Sequence, residues 1–224
     1  MKHSIRTLAA LFVCVVVGLG MAAPVSALAD TKSDAGVFVS SLAERAINGI
    51  GRAQIDDEER AKRLRVLLVE NFDMAAIDRF VTGRFWKSAS EGQQKEFARL
   101  FEDLLVYTWS KRFREYSGQS LEIVGSMVQD ESGAWPVETR ILDENKKPVI
   151  NVTWRVRQEG NAFKAVDLVV EGVSMAVTQR SDILAVLQRE GMDGLNAALR
   201  EKVEGIRSGK IALPPVKTQT GQAK

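Results

Sequence analysis

Ile150-Asn151-Val152-Thr153-Trp154-Arg155-Val156-Arg157 puts an apolar residue at every second position and a polar or charged one between. Side chains of an extended chain point alternately to opposite faces, so this is a strand with one buried and one wet face. Ile150, Val152, Trp154 and Val156 form its apolar side, and Asn151, Thr153, Arg155 and Arg157 its polar side. Glu159-Gly160-Asn161 then makes a turn, and the alternation resumes with Val166, Leu168 and Val170 against Ala165, Asp167 and Val169. Working backwards, Asp143 to Lys147 and Asp130 to Gly133 are further polar turns. The pattern predicts four strands, near 120–129, 134–143, 148–158 and 162–171, joined as an antiparallel meander.

The residues on either side change period. Before Gly118, Phe97, Leu100, Phe101, Leu104, Leu105, Trp109, Phe113 and Tyr116 recur at three- and four-residue spacing, a helical stripe. Ser90 and Gln93 have capping-box spacing at its start. Further upstream, Val37, Phe38, Leu42, Ile47 and Ile50 make a helix ended by Gly49 and Gly51. Asp56 to Glu59 place negative charge on the next helix's first turn, where the macrodipole favours it. Asp73 is a cap for a short helix carrying Ile77, Phe80 and Val81. After the strands, Ser181 is expected to cap a helix with Ile183, Leu184 and Leu187, ended by Gly191. Asp193 is expected to cap the last, with Leu195, Leu199, Val203 and Ile206. The fold class is α+β: a curved antiparallel four-stranded sheet packed against a helical bundle.

The first 29 residues read as a secretory signal peptide, with Lys2, His3 and Arg6 ahead of an apolar run from Leu8 to Leu19. Pro24 and the sequence Ala27-Leu28-Ala29 complete the cleavage grammar; an uncleaved membrane anchor is the alternative. A single α+β domain over 30–208 and a flexible tail over 209–224 follow, the tail carrying Pro214, Pro215 and a polar run. Cleavage would remove Cys14 and His3, the only cysteine and the only histidine of the 224 residues. A chain without them has no thiolate or Ser-His-Asp nucleophile and no usual zinc ligand, so no catalytic or metal residue is assigned. The full chain carries a formal charge of +2. The leader contributes two of its basic residues, Lys2 and Arg6, and no acid, leaving a balanced remainder with no compositional support for nucleic-acid binding.

Val166-Asp167-Leu168-Val169-Val170-Glu171-Gly172-Val173-Ser174-Met175, followed by Gln179-Arg180, resembles the signature of the MlaC or toluene-tolerance (Tol) family of periplasmic phospholipid-binding proteins. Gly191-Met192-Asp193-Gly194-Leu195, Phe85-Trp86-Lys87, Ser90 and Phe97 through Tyr107 are similar to other parts of that family, and the resemblance spans about 35–205. Many relatives have an aromatic before the motif arginine, where this chain has Thr178-Gln179-Arg180. That departure, with Gly172 to Ala176, is also similar to the hopanoid-associated HpnM subgroup. The resemblance implies a periplasmic carrier without a cofactor, whose cargo is a phospholipid or, alternatively, a hopanoid. The implied partners are the lipid-binding subunit of an inner-membrane ABC transporter and an outer-membrane lipoprotein complex. It also implies a pocket between helices and sheet that takes acyl chains and leaves the headgroup near solvent.

Within that frame the candidate wall is Phe97, Phe101, Leu104, Leu105 and Trp109 on the long helix. Facing them would be Val137, Ile141, Ile150, Val152, Trp154, Val166, Leu168 and Val170 on the sheet. Each methylene moved from water into such a site contributes about 0.8 kcal/mol. For any one of these residues, ordinary core packing is an equal reading. Ser174 and Arg180 are candidates for a headgroup at the rim, arginine offering a planar fork suited to phosphate. The other reading pairs Arg180 with a local carboxylate and uses Ser174 to satisfy backbone. Two other functions stand beside the carrier: a proton-transfer enzyme using Asp167 and Tyr107, and a protein adaptor with a filled interior.

Overall fold

A computed structural model describes residues 27–126 and 128–213, with side chains from Asp34 onward. The expected leader up to Ser26, with Cys14 and His3, and the tail from Pro214 lie outside the described residues.

The helical half comes first. Helix α1 (Ala27–Ala46) runs into a π-helical turn (Ile47–Gly51), so the expected stop at Gly49 and Gly51 is a widened turn rather than a clean end. Helix α2 (Asp57–Asn71) is capped by Asp56, which accepts from the Glu59 amide at 2.8 Å. Asp73 caps α3 (Met74–Thr82) through the Ala76 amide at 2.9 Å. A short helix α4 (Arg84–Ser88), absent from the sequence reading, precedes α5 (Glu91–Arg114). The capping box of α5 is complete: the Gln93 amide donates to Ser90 Oγ, and the Ser90 amide to Gln93 Oε1.

The sheet follows: β1 (Ser120–Ser126), β2 (Trp135–Leu142), β3 (Pro148–Glu159), β4 (Ala162–Val170) and β5 (Val173–Ser174), every neighbouring pair antiparallel. Spatial order is sequence order, β1-β2-β3-β4-β5. The fifth strand is the one the four-strand expectation lacked. It forms because Glu171 and Gly172 both take positive φ, 49° and 79°, and close a two-residue hairpin.

The last helix, α6 (Met175–Arg207), starts earlier than Ser181. Ser174 is its cap, accepting from the Val177 amide at 3.0 Å, while Ser181 lies inside the helix and donates to the Val177 carbonyl. The division at Gly191 holds, but as a kink: φ 66° and ψ −168° there lie in a region that is essentially glycine's alone. Asp193 accepts from Gln93 Nε2 at 2.8 Å and so ties α6 to the start of α5. The expected tail is docked over its first residues: the Ile211 amide donates to the Gly205 carbonyl, and Leu213 packs on the helical core.

Two apolar interiors, with a third small cluster of Ala61, Leu68 and Val106 between α2 and α5, hold the described residues together. In the larger, Phe97, Leu100, Phe101 and Leu104 of α5 interlock with Ile183, Leu187, Leu195 and Leu199 of α6 and with Val81 of α3. In the smaller, Ala35 and Val39 of α1 lie on Trp135, Val137 and Val156 of the sheet. Between them the α2–α3 corner is stitched to β4. Phe72 bridges to Ala165, the Asp73 amide donates to the Ala165 carbonyl at 3.0 Å, and Lys164 Nζ donates to the Glu70 carbonyl at 2.6 Å.

Candidate functional site

The two predicted walls do not face each other as a pair. Phe97, Phe101 and Leu104 are exposed by at most 6 % and are spent on the α5–α6 interface, where the Phe97 and Phe101 rings stack at 5.5 Å. Trp109 turns outward, 38 % exposed. Leu105 packs both on the α5–α6 interior and on the small cluster of Ala61, Leu68 and Val106 between α2 and α5. A stripe at helical spacing says that a face is covered, not by what; here the cover is α6 for most of the stripe.

On the sheet, Val137 is fully buried under α1, and Val152 is buried as well. Ile141 pairs with Ile150, Trp154 with Leu168 and Val152 with Val170, so these residues share a face. Ile141, Ile150, Trp154, Leu168 and Val170 are half-buried. Val166 breaks the expected alternation. The register passes from Arg155 opposite Asp167 to Val156 opposite Ala165, and leaves Val166 without a cross-strand partner in a β-bulge. Ala165, not Val166, is fully buried.

The surfaces that do meet are a narrower set. The Trp154 ring lies 6.4 Å from that of Phe72, and Trp154 Nε1 donates to Thr139 Oγ1 at 3.3 Å. Phe72, like Met74, Leu105 and Tyr107, packs against the Ala61, Leu68 and Val106 cluster of α2 and α5. The candidate site is this seam, with Trp154, Leu168 and Val170 on the sheet and Phe72, Met74 and Leu105 on the helices. Phe72 and Met74 were missed in the sequence reading. The signal for Phe72 was present: an apolar residue directly before the Asp73 cap, with Ile77 at the fourth helical position, is hydrophobic-staple spacing.

Asp78 was also missed. It lies on α3, 5 % exposed, and its Oδ1 has no hydrogen-bond partner among the described residues. Burial, reinforced by the charge of Glu102 and opposed by Arg79, pushes its carboxyl up to about 7. Glu102 is itself bound to Arg65, whose other nitrogen holds Asp103 at 2.6 Å. Asp78 forms no salt bridge among the described residues, and burial is the main cause that favours its protonated form.

Ser174 and Arg180 take different parts. Ser174 donates to Asp167 Oδ2 at 2.6 Å, and the Ala176 amide donates to Asp167 Oδ1 at 2.9 Å, so both carboxylate oxygens brace the start of α6. Satisfaction of backbone is thus what Ser174 does. Asp167 has no hydrogen bond to Tyr107 among the described residues. Arg180 pairs with no carboxylate there: it donates to the Phe80 carbonyl and lies over the Phe80 ring at 5.1 Å. No helix among the described residues is long and apolar enough to cross a membrane.

Comparison with known proteins gives this arrangement its relatives. A phospholipid-binding protein of Ralstonia solanacearum, solved in complex with a phospholipid, superposes with a TM-score of 0.69 at 20% identity, covering 77% of this chain and 98% of that one. The intermembrane phospholipid transport system binding protein MlaC of Haemophilus influenzae is 24% identical over 123 residues, 54% of this chain. That match spans 58% of the relative's own length. The MlaC protein family matches residues 41–201. The chain belongs to the MlaC family.

Proposed function

We propose that the chain is a periplasmic lipid carrier. It holds the acyl chains of a phospholipid in the seam between the sheet and the α2–α3 corner and passes the lipid, chemically unchanged, between membranes. The observation that carries this reading is the seam itself: half-buried apolar side chains from both layers meet at Phe72 and Trp154, in a fold whose relative was solved with a phospholipid. Family membership supports the same reading. The donor and acceptor in this proposal are an outer-membrane lipoprotein complex and the lipid-binding subunit of an inner-membrane ABC transporter.

Lipid entry requires the layers to part. Small-molecule sites usually measure about 300–1,000 Å³, and the clefts of about 190 and 260 Å³ among the described residues lie elsewhere, one beside α1 and β1 and the other between α4 and α6. Burying each methylene supplies about 0.8 kcal/mol towards that separation. Because α5 packs mainly on α6 and α2, the sheet side of the seam can move away without separating α5 from α6.

The test is lipid extraction and mass spectrometry of protein purified from the periplasm, followed by transfer of labelled phospholipid to acceptor liposomes. Co-purified phospholipid, delivered intact, is expected. A hopanoid in its place would reassign the cargo, a modified lipid would establish an enzyme, and a folded protein that neither holds nor transfers lipid would leave the adaptor. Trp154→Glu, checked for folding by circular dichroism, is expected to abolish co-purification. Lipid retained by that folded variant would move the site away from the seam.

A further inference from the structure

A second feature involves α4 and α6. A cleft of about 260 Å³ opens between α4 and the first half of α6, lined by Arg84, Phe85, Arg180, Leu184 and Gln188. Arg180, Leu184 and Gln188 are one helical turn apart and share a face of α6. Each guanidinium is laid on a ring: Arg84 over Phe85 at 5.2 Å and Arg180 over Phe80 at 5.1 Å. Phe80 remains 43 % exposed.

The charge on these arginines is uncompensated. Elsewhere, Arg45, Arg63, Arg65, Arg99, Arg155 and Arg200 each lie within ion-pair distance of a carboxylate. Among the described residues no carboxylate reaches Arg84 or Arg180, nor Arg79 and Lys87 on the adjoining helices. Asp182, the nearest acid along α6, is two residues from Arg180 and so points to a different face. A stacked guanidinium is held in place and still presents free N–H donors, which lowers the ordering cost of binding an anion. Gly83 belongs to the same design. Its φ of +56° favours glycine, and a Cβ there would lie 3.0 Å from an Arg180 nitrogen and press on the guanidinium at the α3–α4 junction.

We propose that this cleft docks an acidic segment of a partner protein, whose carboxylate engages Arg84 and Arg180 while a neighbouring apolar side chain packs on Phe85 and Leu184. Two stacked guanidiniums beside apolar walls match an acidic residue with an apolar neighbour. The apolar walls favour a segment over a free ion. The inference does not rest on the lipid reading: the cleft lies between α4 and α6, and the seam lies at the α2–α3 corner.

The test uses the purified chain and a fluorescein-labelled peptide of alternating leucine and glutamate, read by anisotropy at low salt. The control peptide carries glutamine for every glutamate. The acidic peptide is expected to bind at least tenfold more tightly than the control, and Arg84→Gln to weaken it by about tenfold, as for close charge pairs at interfaces. Arg114→Gln, at a residue paired with Asp57 on another surface, should leave binding unchanged. Arg180→Gln should match Arg84→Gln; because Arg180 also ties α6 to α3, Arg84→Gln decides the matter if that variant unfolds. Equal binding of the two peptides overturns the proposal, as does equal loss in Arg114→Gln. Capture of phosphatidylglycerol vesicles through Arg84, with no peptide binding, overturns it in favour of a membrane surface.

Discussion

The interface between α5 and α6 and the seam between the sheet and the α2–α3 corner are both apolar, yet they are built differently. In the first, large side chains interlock to almost no exposure, and two phenylalanines stack face to face. In the second, the apolar residues are half-buried, and the two layers are joined at a corner by a few backbone contacts. Close packing makes an interior costly to disturb, because every lost contact goes uncompensated. A surface that must accept and release a guest has to be packed less completely. Apolar composition is common to both; completeness of packing divides stability from binding.

The sharpest way to break this distinction is to truncate one ring on each side. Phe101→Ala should cost about 3–5 kcal/mol in urea unfolding, the range for a large aromatic removed from a filled core. Trp154→Ala should cost markedly less. Equal losses would mean that the seam is as tightly packed as the helical interior.

Asp78 sharpens the comparison from the helical side. Its carboxyl is raised from 3.8 to about 7, so the folded state holds a proton that the unfolded state gives up. The contribution to stability is fully present below about pH 4, declines as pH rises towards 7, and is then lost. Asp78→Asn cannot ionise. It should match the wild type in acid and exceed it above pH 7 by an amount on the order of a few kcal/mol, one pKa unit being worth about 1.4 kcal/mol. Denaturant titrations at pH 4 and pH 8 measure the gap. A gap that does not widen with pH would place the ionised carboxylate in contact with water.

The smallest effect expected is at the α6 cap. Ser174→Ala removes one capping bond and one partner of Asp167, at a cost of about 1 kcal/mol. A domain of this size should then melt about 2–4 °C lower. Lipid retention should be unchanged, since Ser174 is committed to the helix start. Loss of lipid at full stability would return Ser174 to the binding site.

How much of this was legible beforehand depends on the range of the interaction. The strands were, because a one-sided ladder writes its alternation into consecutive residues such as Ile150 to Arg157. The bulge at Val166 was not: Val166, Leu168 and Val170 keep the period in sequence while the pairing slips in space. The start of α6 was misplaced because Ser174 and Ser181 both suit a cap, and only Asp167, reached across the hairpin, favours the first. The site was half legible for the same reason. Leu105 and Trp154 lie on apolar stripes visible in the sequence, but nothing local says that Phe101 would be covered by α6 or that Trp154 would meet Phe72. The stacking of Arg180 on Phe80 joins residues a hundred positions apart and leaves no trace in either neighbourhood.

The order of the sheet has one further consequence. Each strand pairs with the one made just before it, so no strand waits for a distant segment before it can form hydrogen bonds. Low contact order of this kind speeds folding by keeping loop-closure entropy small. A chain threaded through a narrow channel with its amino terminus leading could assemble this sheet hairpin by hairpin as it emerged, and leave few unpaired edges open to aggregation on the way.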